Sequence, residues 1–169
     1  VILDIDGVMT DGRKTYDING NVISKTYCDK DFTAIKRLRG SGIKVCFLSG
    51  DERVNKPMAN NRNIDFYSAR GKDKASFVTY FESYYNVKKE NMLYIGDDLF
   101  DLSIMKEVGF SFCPKDAPDI ILKHCAGNVV PRNGGQNVVC KMVDILLSRR
   151  FIKDSTMKEI EALDKKEIF

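Results

Sequence analysis

The first twelve residues, "VILDIDGVMTDG" (1–12), decide the fold and also place charge where it is costly. The opening apolar residues predict a buried strand, and Asp4 and Asp6 stand at its end, two residues apart. Burying carboxylates is unfavourable unless a cation or hydrogen bonds compensate them. Gly7 then allows a sharp turn. The stretch therefore predicts a buried strand that ends in a site needing a positive partner.

Further along the chain, short apolar runs alternate with longer helical patterns. The predicted strands cover residues 1–5, 44–49, 64–68, 92–96, 110–113 and 128–130. The predicted helices cover residues 31–41, 52–62, 73–86, 99–108, 117–125 and 137–150. Such alternation is typical of an α/β fold with a mainly parallel sheet.

One segment, "KTYDINGNVISKTY" (14–27), interrupts this alternation after the first strand. Two β-rich runs flank Asn19-Gly20, a pair that favours a hairpin because both residues tolerate a positive φ. We expect a hairpin over about residues 13–28. From the residues alone, it is either a flap over a site at the end of the first strand or an extension of the sheet.

The end of the chain is rich in charge. Thr156 and Glu159 fit a capping box, and "TMKEIEALDKKEI" (156–168) carries a thin apolar stripe. We therefore expect a charged helical tail over residues 151–169 behind a domain that covers residues 1–150.

Composition excludes several classes of protein. The 169 residues carry a net charge of only +3, and 43% are hydrophobic, which is ordinary for one soluble domain with no membrane partner. The basic cluster around Arg149 is interpreted as a solvated helix end, so we expect no nucleic-acid partner. Five cysteines without CxxC spacing predict buried thiols in a reducing cytoplasm. The chain begins at Val1 within a strand pattern, so we expect the native protein to extend upstream.

Polar residues follow the predicted strands at their carboxyl ends, which meet at one edge of a parallel sheet. The residues that share this placement are Asp4, Asp6, Ser49, Gly50, Lys74, Asp97, Asp98 and Asp101. Gathered carboxylates without histidine or thiolate ligands favour a hard cation, and Mg²⁺ is the first choice. Mg²⁺ usually completes its shell with phosphate oxygens, which predicts a phosphorylated small-molecule substrate. Ser49 and Lys74 suit those oxygens.

In order and spacing, these residues resemble the haloacid dehalogenase-like phosphohydrolases over residues 1 to about 150. The four matching motifs are "DIDGVMTDG" (4–12), "FLSG" (47–50), Lys74 in "KDKAS" (72–76) and "GDDLFD" (96–101). The resemblance implies a Rossmann-like, three-layer α/β/α domain with a β-hairpin flap. It also implies the subclass without a cap domain, because the chain passes from Ser49 to Lys74 with no room for one.

The resemblance also implies roles for the residues. Asp4 would attack phosphorus and form an aspartyl-phosphate, and Asp6 would act as general acid and then general base. Asp4, the main-chain carbonyl of Asp6, and Asp97 would hold Mg²⁺. Asp98 and Asp101 would support that shell, and Ser49, Gly50 and Lys74 would bind the phosphoryl group.

The capless subclass is known for phosphatases of deoxy-octulosonate phosphate and of nine-carbon, sialic-acid-like sugar acids, and it forms tetramers. The resemblance thus implies a sugar-acid phosphate as substrate and a homotetramer. The loop "RNGGQNVVCK" (132–141) resembles a C-terminal loop that reaches the sugar acid in these enzymes, usually GGxGxxRE. Its candidate substrate residues are Arg132, Gly134, Gly135 and Gln136. Cys140 and Lys141 stand where the subclass has Arg and Glu.

Two other functions fit parts of the sequence. Similar domains are fused behind sialic-acid cytidylyltransferases and act in oligomerisation without catalysis, but such a domain has no need to keep all of the motif residues. A phospho-acceptor signalling domain would carry its acceptor Asp after the third strand. That strand ends here in Ser68-Ala69-Arg70.

Overall fold

A computed structural model describes residues 1–168 of the chain. The strands in chain order are β1 (Ile2–Leu3), β2 (Thr15–Tyr16), β3 (Val22–Ser24), β4 (Cys46–Ser49), β5 (Asp65–Ser68), β6 (Leu93–Ile95), β7 (Phe110–Pro114) and β8 (Val129–Val130). The helices are α1 (Asp29–Gly40), α2 (Glu52–Asn61), α3 (Val78–Tyr85), α4 (Leu102–Glu107), α5 (Asp119–His124), α6 (Val138–Ser148) and α7 (Met157–Asp164). Short 3₁₀ turns cover Lys74–Phe77, Lys89–Asn91 and Leu99–Asp101.

Six strands form one sheet in the order β5-β4-β1-β6-β7-β8, and every pair in it is parallel. The prediction of a mainly parallel sheet is confirmed. Strand β1 lies between β4 and β6, so the order of the strands reverses there. Open α/β sheets bind their ligands beyond the carboxyl ends of the strands at such a reversal. The residues that follow β1, β4 and β6 therefore share one edge of the sheet.

Helices cover both faces of this sheet, as the alternation of side chains along each strand requires. Leu3, Phe47 and Ile95 point to the face covered by α1 and α6. Their neighbours Ile2 and Tyr94 point to the opposite face, which is covered by α3, α4 and α5. The three-layer α/β/α prediction is confirmed.

Several elements begin or end elsewhere than predicted. The first strand covers Ile2–Leu3 instead of residues 1–5, because the N–H groups of Val8, Met9 and Thr10 all donate to the carbonyl of Ile5 and form a turn. The helix predicted over 73–86 starts as the 3₁₀ turn Lys74–Phe77, and the one predicted over 99–108 starts as Leu99–Asp101. No helix within residues 1–168 is long and apolar enough to cross a membrane.

The hairpin predicted over about residues 13–28 is present as β2 and β3, which pair antiparallel in a small sheet of their own. It is not an extension of the main sheet. Its turn differs from the expected one, since Gly20 has a positive φ of 77° but Asn19 does not. The carboxylate of Asp17 instead closes a longer loop by accepting from the N–H groups of Asn19 (2.9 Å) and Asn21 (2.8 Å).

The charged tail folds back onto the domain. The predicted capping box of Thr156 and Glu159 starts α7. Lys36 of α1 pairs with Asp164 and, at 2.9 Å, with Glu167. These contacts join the tail to the helical layer on the α1 side of the sheet.

Candidate active site

A cleft of about 1310 Å³ opens at the carboxyl ends of the strands. The turn after β1, the hairpin, and the loops after β4, β5 and β6 surround it. All eight residues predicted at the strand ends line it: Asp4, Asp6, Ser49, Gly50, Lys74, Asp97, Asp98 and Asp101. The hairpin contributes Gly20, Asn21 and Val22 to the same lining, which is the position of a flap.

Three of the carboxylates gather at the end of the central strands. One oxygen each of Asp4, Asp97 and Asp101 lies within 4.8 Å of the other two, and we call this group, with Lys74, the carboxylate cluster. Pairing of the backbones brings them together, because the N–H of Asp4 donates to the carbonyl of Ile95 at 2.9 Å, two residues before Asp97. Like charges at this spacing repel each other.

Asp101 is the best-satisfied member of the cluster and is fully buried. Its Oδ1 accepts from the ammonium of Lys74 and from the hydroxyl of Tyr94, both at 2.6 Å. Its Oδ2 accepts from the N–H groups of Asp97 (2.9 Å) and Asp98 (3.0 Å). Because both oxygens are engaged by the chain itself, Asp101 fixes the loop after β6 and the lysine.

Lys74 supplies the positive charge of the cluster. Its Nζ lies 2.6 Å from Asp101, 3.1 Å from Asp4 and 2.9 Å from the Tyr94 hydroxyl. Burial lowers the pKa of Lys74, but Asp4 and Asp101 outweigh that effect and hold the pKa above its usual range. A permanently charged ammonium can neutralise only one of three carboxylates. The cluster thus lacks positive charge.

This deficit appears in the two remaining carboxylates. Burial raises the pKa of Asp4 to about 7, although Lys74 opposes the shift. Burial, followed by repulsion from Asp4, raises the pKa of Asp97 to about 8. The Oδ1 of Asp97 is buried and has no hydrogen-bond partner within residues 1–168. An orphaned oxygen in an oxygen-only, negatively charged pocket fits a hard divalent cation.

Gly7 makes room for this arrangement. Its φ is 87°, and a Cβ built on it would lie 2.0 Å from Oδ2 of Asp97. Any side chain at this position would displace the carboxylate, so the turn after β1 depends on glycine.

Asp6 has different partners from Asp4. Its two oxygens lie 2.7 and 3.0 Å from Nζ of Lys25, which also contacts Asp51 at 2.8 Å. Lys14 contacts Asp51 at 3.1 Å. We call Asp6, Asp51, Lys14 and Lys25 the hairpin ion cluster. Burial opposes the effect, but Lys25 and Lys14 lower the pKa of Asp51 to about 2.

Sequence reasoning missed the two lysines and Asp51. Asp51 lies directly after the second motif and caps α2 by accepting from the N–H of Arg53 at 3.3 Å, which is a detectable signal. The lysines lie on the hairpin, where their pattern is indistinguishable from ordinary surface charge. Only the folding of the hairpin over the cleft brings them to Asp6.

The loop 132–136 packs against the turn after β1. The N–H of Gly135 donates to the carbonyl of Val8 at 3.0 Å, and a Cβ on Gly134 would lie 2.2 Å from the carbonyl oxygen of Gly7. Within the described chain, Arg132, Gly134, Gly135 and Gln136 are absent from the lining of the cleft. The loop thus supports the turn after β1, and its contact with substrate stays a prediction.

Comparison with known proteins agrees with this geometry. Residues 58–142 match the model of the haloacid dehalogenase-like hydrolases. The chain is also 35% identical over 153 residues to the 3-deoxy-D-manno-octulosonate 8-phosphate phosphatase of Haemophilus influenzae, covering 87% of this chain and 81% of that protein. The chain belongs to the haloacid dehalogenase-like hydrolase family. The predicted class of enzyme, a phosphatase, is confirmed.

Solved structures of the family share the fold. A subfamily III A hydrolase from Legionella pneumophila superposes with a TM-score of 0.83 at 26% identity, covering 98% of this chain and 88% of that one. The cobalt-bound deoxy-D-mannose-octulosonate 8-phosphate phosphatase of H. influenzae superposes with a TM-score of 0.79 at 34% identity, covering 89% and 87%.

Proposed function

We propose that the protein is a Mg²⁺-dependent phosphatase that hydrolyses the phosphate monoester of an eight- or nine-carbon sugar acid. The observation that carries this proposal is the carboxylate cluster. Its one ammonium, that of Lys74, cannot neutralise the carboxylates of Asp4, Asp97 and Asp101. Relatives named for 3-deoxy-D-manno-octulosonate 8-phosphate support the substrate class. The cobalt in the H. influenzae protein supports a divalent cation at this position.

Asp4, Asp97 and the main-chain carbonyl of Asp6 would hold the cation. Mg²⁺ held there would supply positive charge to the phosphoryl oxygens. Lys74 contributes a second positive charge to the same oxygens. Ser49 and Gly50 line the cleft, where the hydroxyl and the backbone would donate hydrogen bonds to the phosphoryl group.

The proposed reaction proceeds in two displacements. A carboxylate oxygen of Asp4 attacks phosphorus, the bond from phosphorus to the sugar oxygen breaks, and Asp6 donates a proton to that oxygen. A water molecule then attacks phosphorus in the aspartyl-phosphate and gives a proton to Asp6. The bond between phosphorus and Asp4 breaks, inorganic phosphate leaves, and Asp4 is again a carboxylate and Asp6 a carboxylic acid. Asp6 lines the same cleft as Asp4 and is held there by Lys25.

Phosphate release from sugar-acid phosphates, hexose phosphates and nucleotides, with and without Mg²⁺, tests this proposal. We expect Mg²⁺-dependent release, fastest with the sugar acids, and a loss of roughly 10⁴-fold or more in Asp4→Asn. Asp119→Asn is the matched control, since Asp119 is exposed on α5 away from the cleft. Wild-type protein that releases no phosphate from any compound would favour the non-catalytic oligomerisation domain.

We also propose that the enzyme is a homotetramer. The hairpin supports this, because three of its large apolar side chains are exposed: Tyr16, Ile18 and Ile23. Exposed apolar groups concentrated on one element are typical of a surface that packs against another subunit. A monomer in light scattering would contradict this part of the proposal.

A further inference from the structure

Asn55 of α2 is a fully buried amide between two residues of the cleft. Its Nδ2 lies 3.0 Å from Oγ of Ser49 and 3.3 Å from Oδ2 of Asp6. Its Oδ1 accepts from Nζ of Lys25 at 3.0 Å and from the hydroxyl of Tyr27 at 2.8 Å. Both donor positions of the amide NH₂ and both acceptor positions of its oxygen are therefore used, all by residues in or around the cleft.

The direction of the amide follows from the chemistry of its partners. The ammonium of Lys25 can only donate a hydrogen bond, and the carboxylate of Asp6 can only accept one when ionised. The opposite orientation of Asn55 would set a donor against a donor and an acceptor against an acceptor. Lys25, which can only donate, thus locks the carbonyl oxygen of Asn55 toward itself and the NH₂ group toward Ser49.

That lock determines what the hydroxyl of Ser49 can do. Its Oγ accepts from Asn55 and, at the longer distance of 3.4 Å, from the N–H of Asp51. Both lone pairs of the oxygen are then occupied, so only its proton remains free to bond. Within residues 1–168 the Ser49 hydroxyl donates no hydrogen bond, and Ser49 lines the cleft.

We propose that Asn55 is a positioning residue that fixes the hydroxyl of Ser49 as a hydrogen-bond donor into the cleft, toward an acceptor-only phosphoryl oxygen. This inference rests on the proposed function. Without Asn55 the hydroxyl can rotate and turn its proton away from the phosphoryl group. Asp6 depends on Asn55 much less, since both of its oxygens are already held by Lys25.

The test is a double-mutant cycle of Asn55→Leu and Ser49→Ala, read out as kcat/KM and as the affinity for inorganic phosphate with Mg²⁺ by calorimetry. We expect Asn55→Leu to cost about 10–100-fold in the wild-type background, the size of a hydrogen bond to a charged group. In the Ser49→Ala background we expect it to cost less than about 3-fold, because the group that it positions is absent. Asn60→Ala, an exposed asparagine on the same helix, is the control and should change neither value.

Losses that multiply across the cycle would overturn the inference, because a merely structural role harms both backgrounds alike. If Asn55→Leu does not fold, Asn55→Ala takes its place, and failure of both to fold assigns Asn55 to stability and overturns the positioning role. Phosphate binding keeps the test independent of turnover. Wild-type protein that neither binds phosphate nor turns over overturns the proposed function, whereas an active wild type with independent losses overturns only the inference.

Discussion

Two groups of charges line the same cleft, and they differ in balance. The carboxylate cluster has three carboxylates against the single ammonium of Lys74. The hairpin ion cluster has two carboxylates against the two ammonium groups of Lys14 and Lys25. Burial acts to raise the pKa of both Asp97 and Asp51. Repulsion from Asp4 adds to the rise at Asp97, to about 8, whereas Lys25 and Lys14 reverse it at Asp51 and lower the pKa to about 2.

The comparison shows that burial alone does not create a cation site. Asp51 and Asp97 are the same residue type, and both line the cleft. Lys25 satisfies Asp51 at 2.8 Å, whereas Asp97 keeps an orphaned oxygen. We therefore expect a divalent cation to bind on the side of β1 and β6 and to leave the hairpin side unchanged.

The largest expected effect is that of the cation on the carboxylate cluster. Mg²⁺ at about 100 times its dissociation constant should stabilise the folded protein by about 2.7 kcal/mol. For a domain of this size that raises Tm by roughly 5–10 °C. Asp97→Asn should lose this increase together with most of the activity, because a ligand and its charge are removed. Thermal unfolding by circular dichroism, with Mg²⁺ and with EDTA, measures it.

Asp51→Asn is the matched control for that measurement. It removes a carboxylate of the same cleft whose charge is already balanced by Lys14 and Lys25. Its Mg²⁺-dependent increase in Tm should equal that of the wild type. If Asp51→Asn and Asp97→Asn lost the Mg²⁺-dependent increase in Tm equally, the two clusters would not differ in cation binding.

A smaller effect should follow from unbalancing the hairpin ion cluster. Lys25→Met leaves Asp6 and Asp51 facing each other with only Lys14 nearby, so the free energy of unfolding should fall. The loss should stay below the ~3–5 kcal/mol of fully buried pairs, because these carboxylates are 22% and 20% exposed. Urea unfolding measures it. Lys14→Met should lower the free energy of unfolding by less, since the Lys14 side chain is 26% exposed. Equal losses in the two variants would contradict the view that Lys25 is the main cation of this cluster.

A further expected effect concerns the pH dependence of stability in the metal-free protein. The folded-state pKa values of Asp4 (about 7) and Asp97 (about 8) exceed the value of ~4 in an unfolded chain. The folded state therefore binds more protons between pH 4 and 8, and stability must fall as pH rises through that window. Urea unfolding across this range should show the decline, and Asp97→Asn should flatten it. A stability that rises with pH there would contradict the raised values.

The parallel sheet and the eight residues at the strand ends were predictable for one reason. Parallel strands deliver whatever follows them to the same edge, so Asp4, Ser49 and Asp97 converge despite their distance in sequence. Strand and helix ends were less predictable, because side-chain bonds decide them. Asp17 alone, for example, lengthens the hairpin loop beyond the expected Asn19-Gly20 turn.

The partners of the site residues were beyond the sequence. Tyr94 lies inside a strand, in the sequence pattern of a core residue, yet its hydroxyl donates a hydrogen bond to Asp101 at 2.6 Å. Asn55 lies in the middle of α2, and Lys25 lies at the end of a hairpin. Each finds its role only through neighbours from another element, and no local pattern indicates which neighbour that is. The same holds for Gly134 and Gly135, whose place beneath the first turn depends on the packing of the whole chain.

The support that Gly134 and Gly135 give to the first turn has a consequence for how the enzyme is made. Protein synthesis releases Asp4 and Gly7 long before Gly134 and Gly135, whose backbone braces their turn. Joining such distant segments costs loop-closure entropy and is among the slower steps of folding. On the ribosome, every motif residue up to Asp101 is therefore synthesised before the backbone that supports the turn after β1.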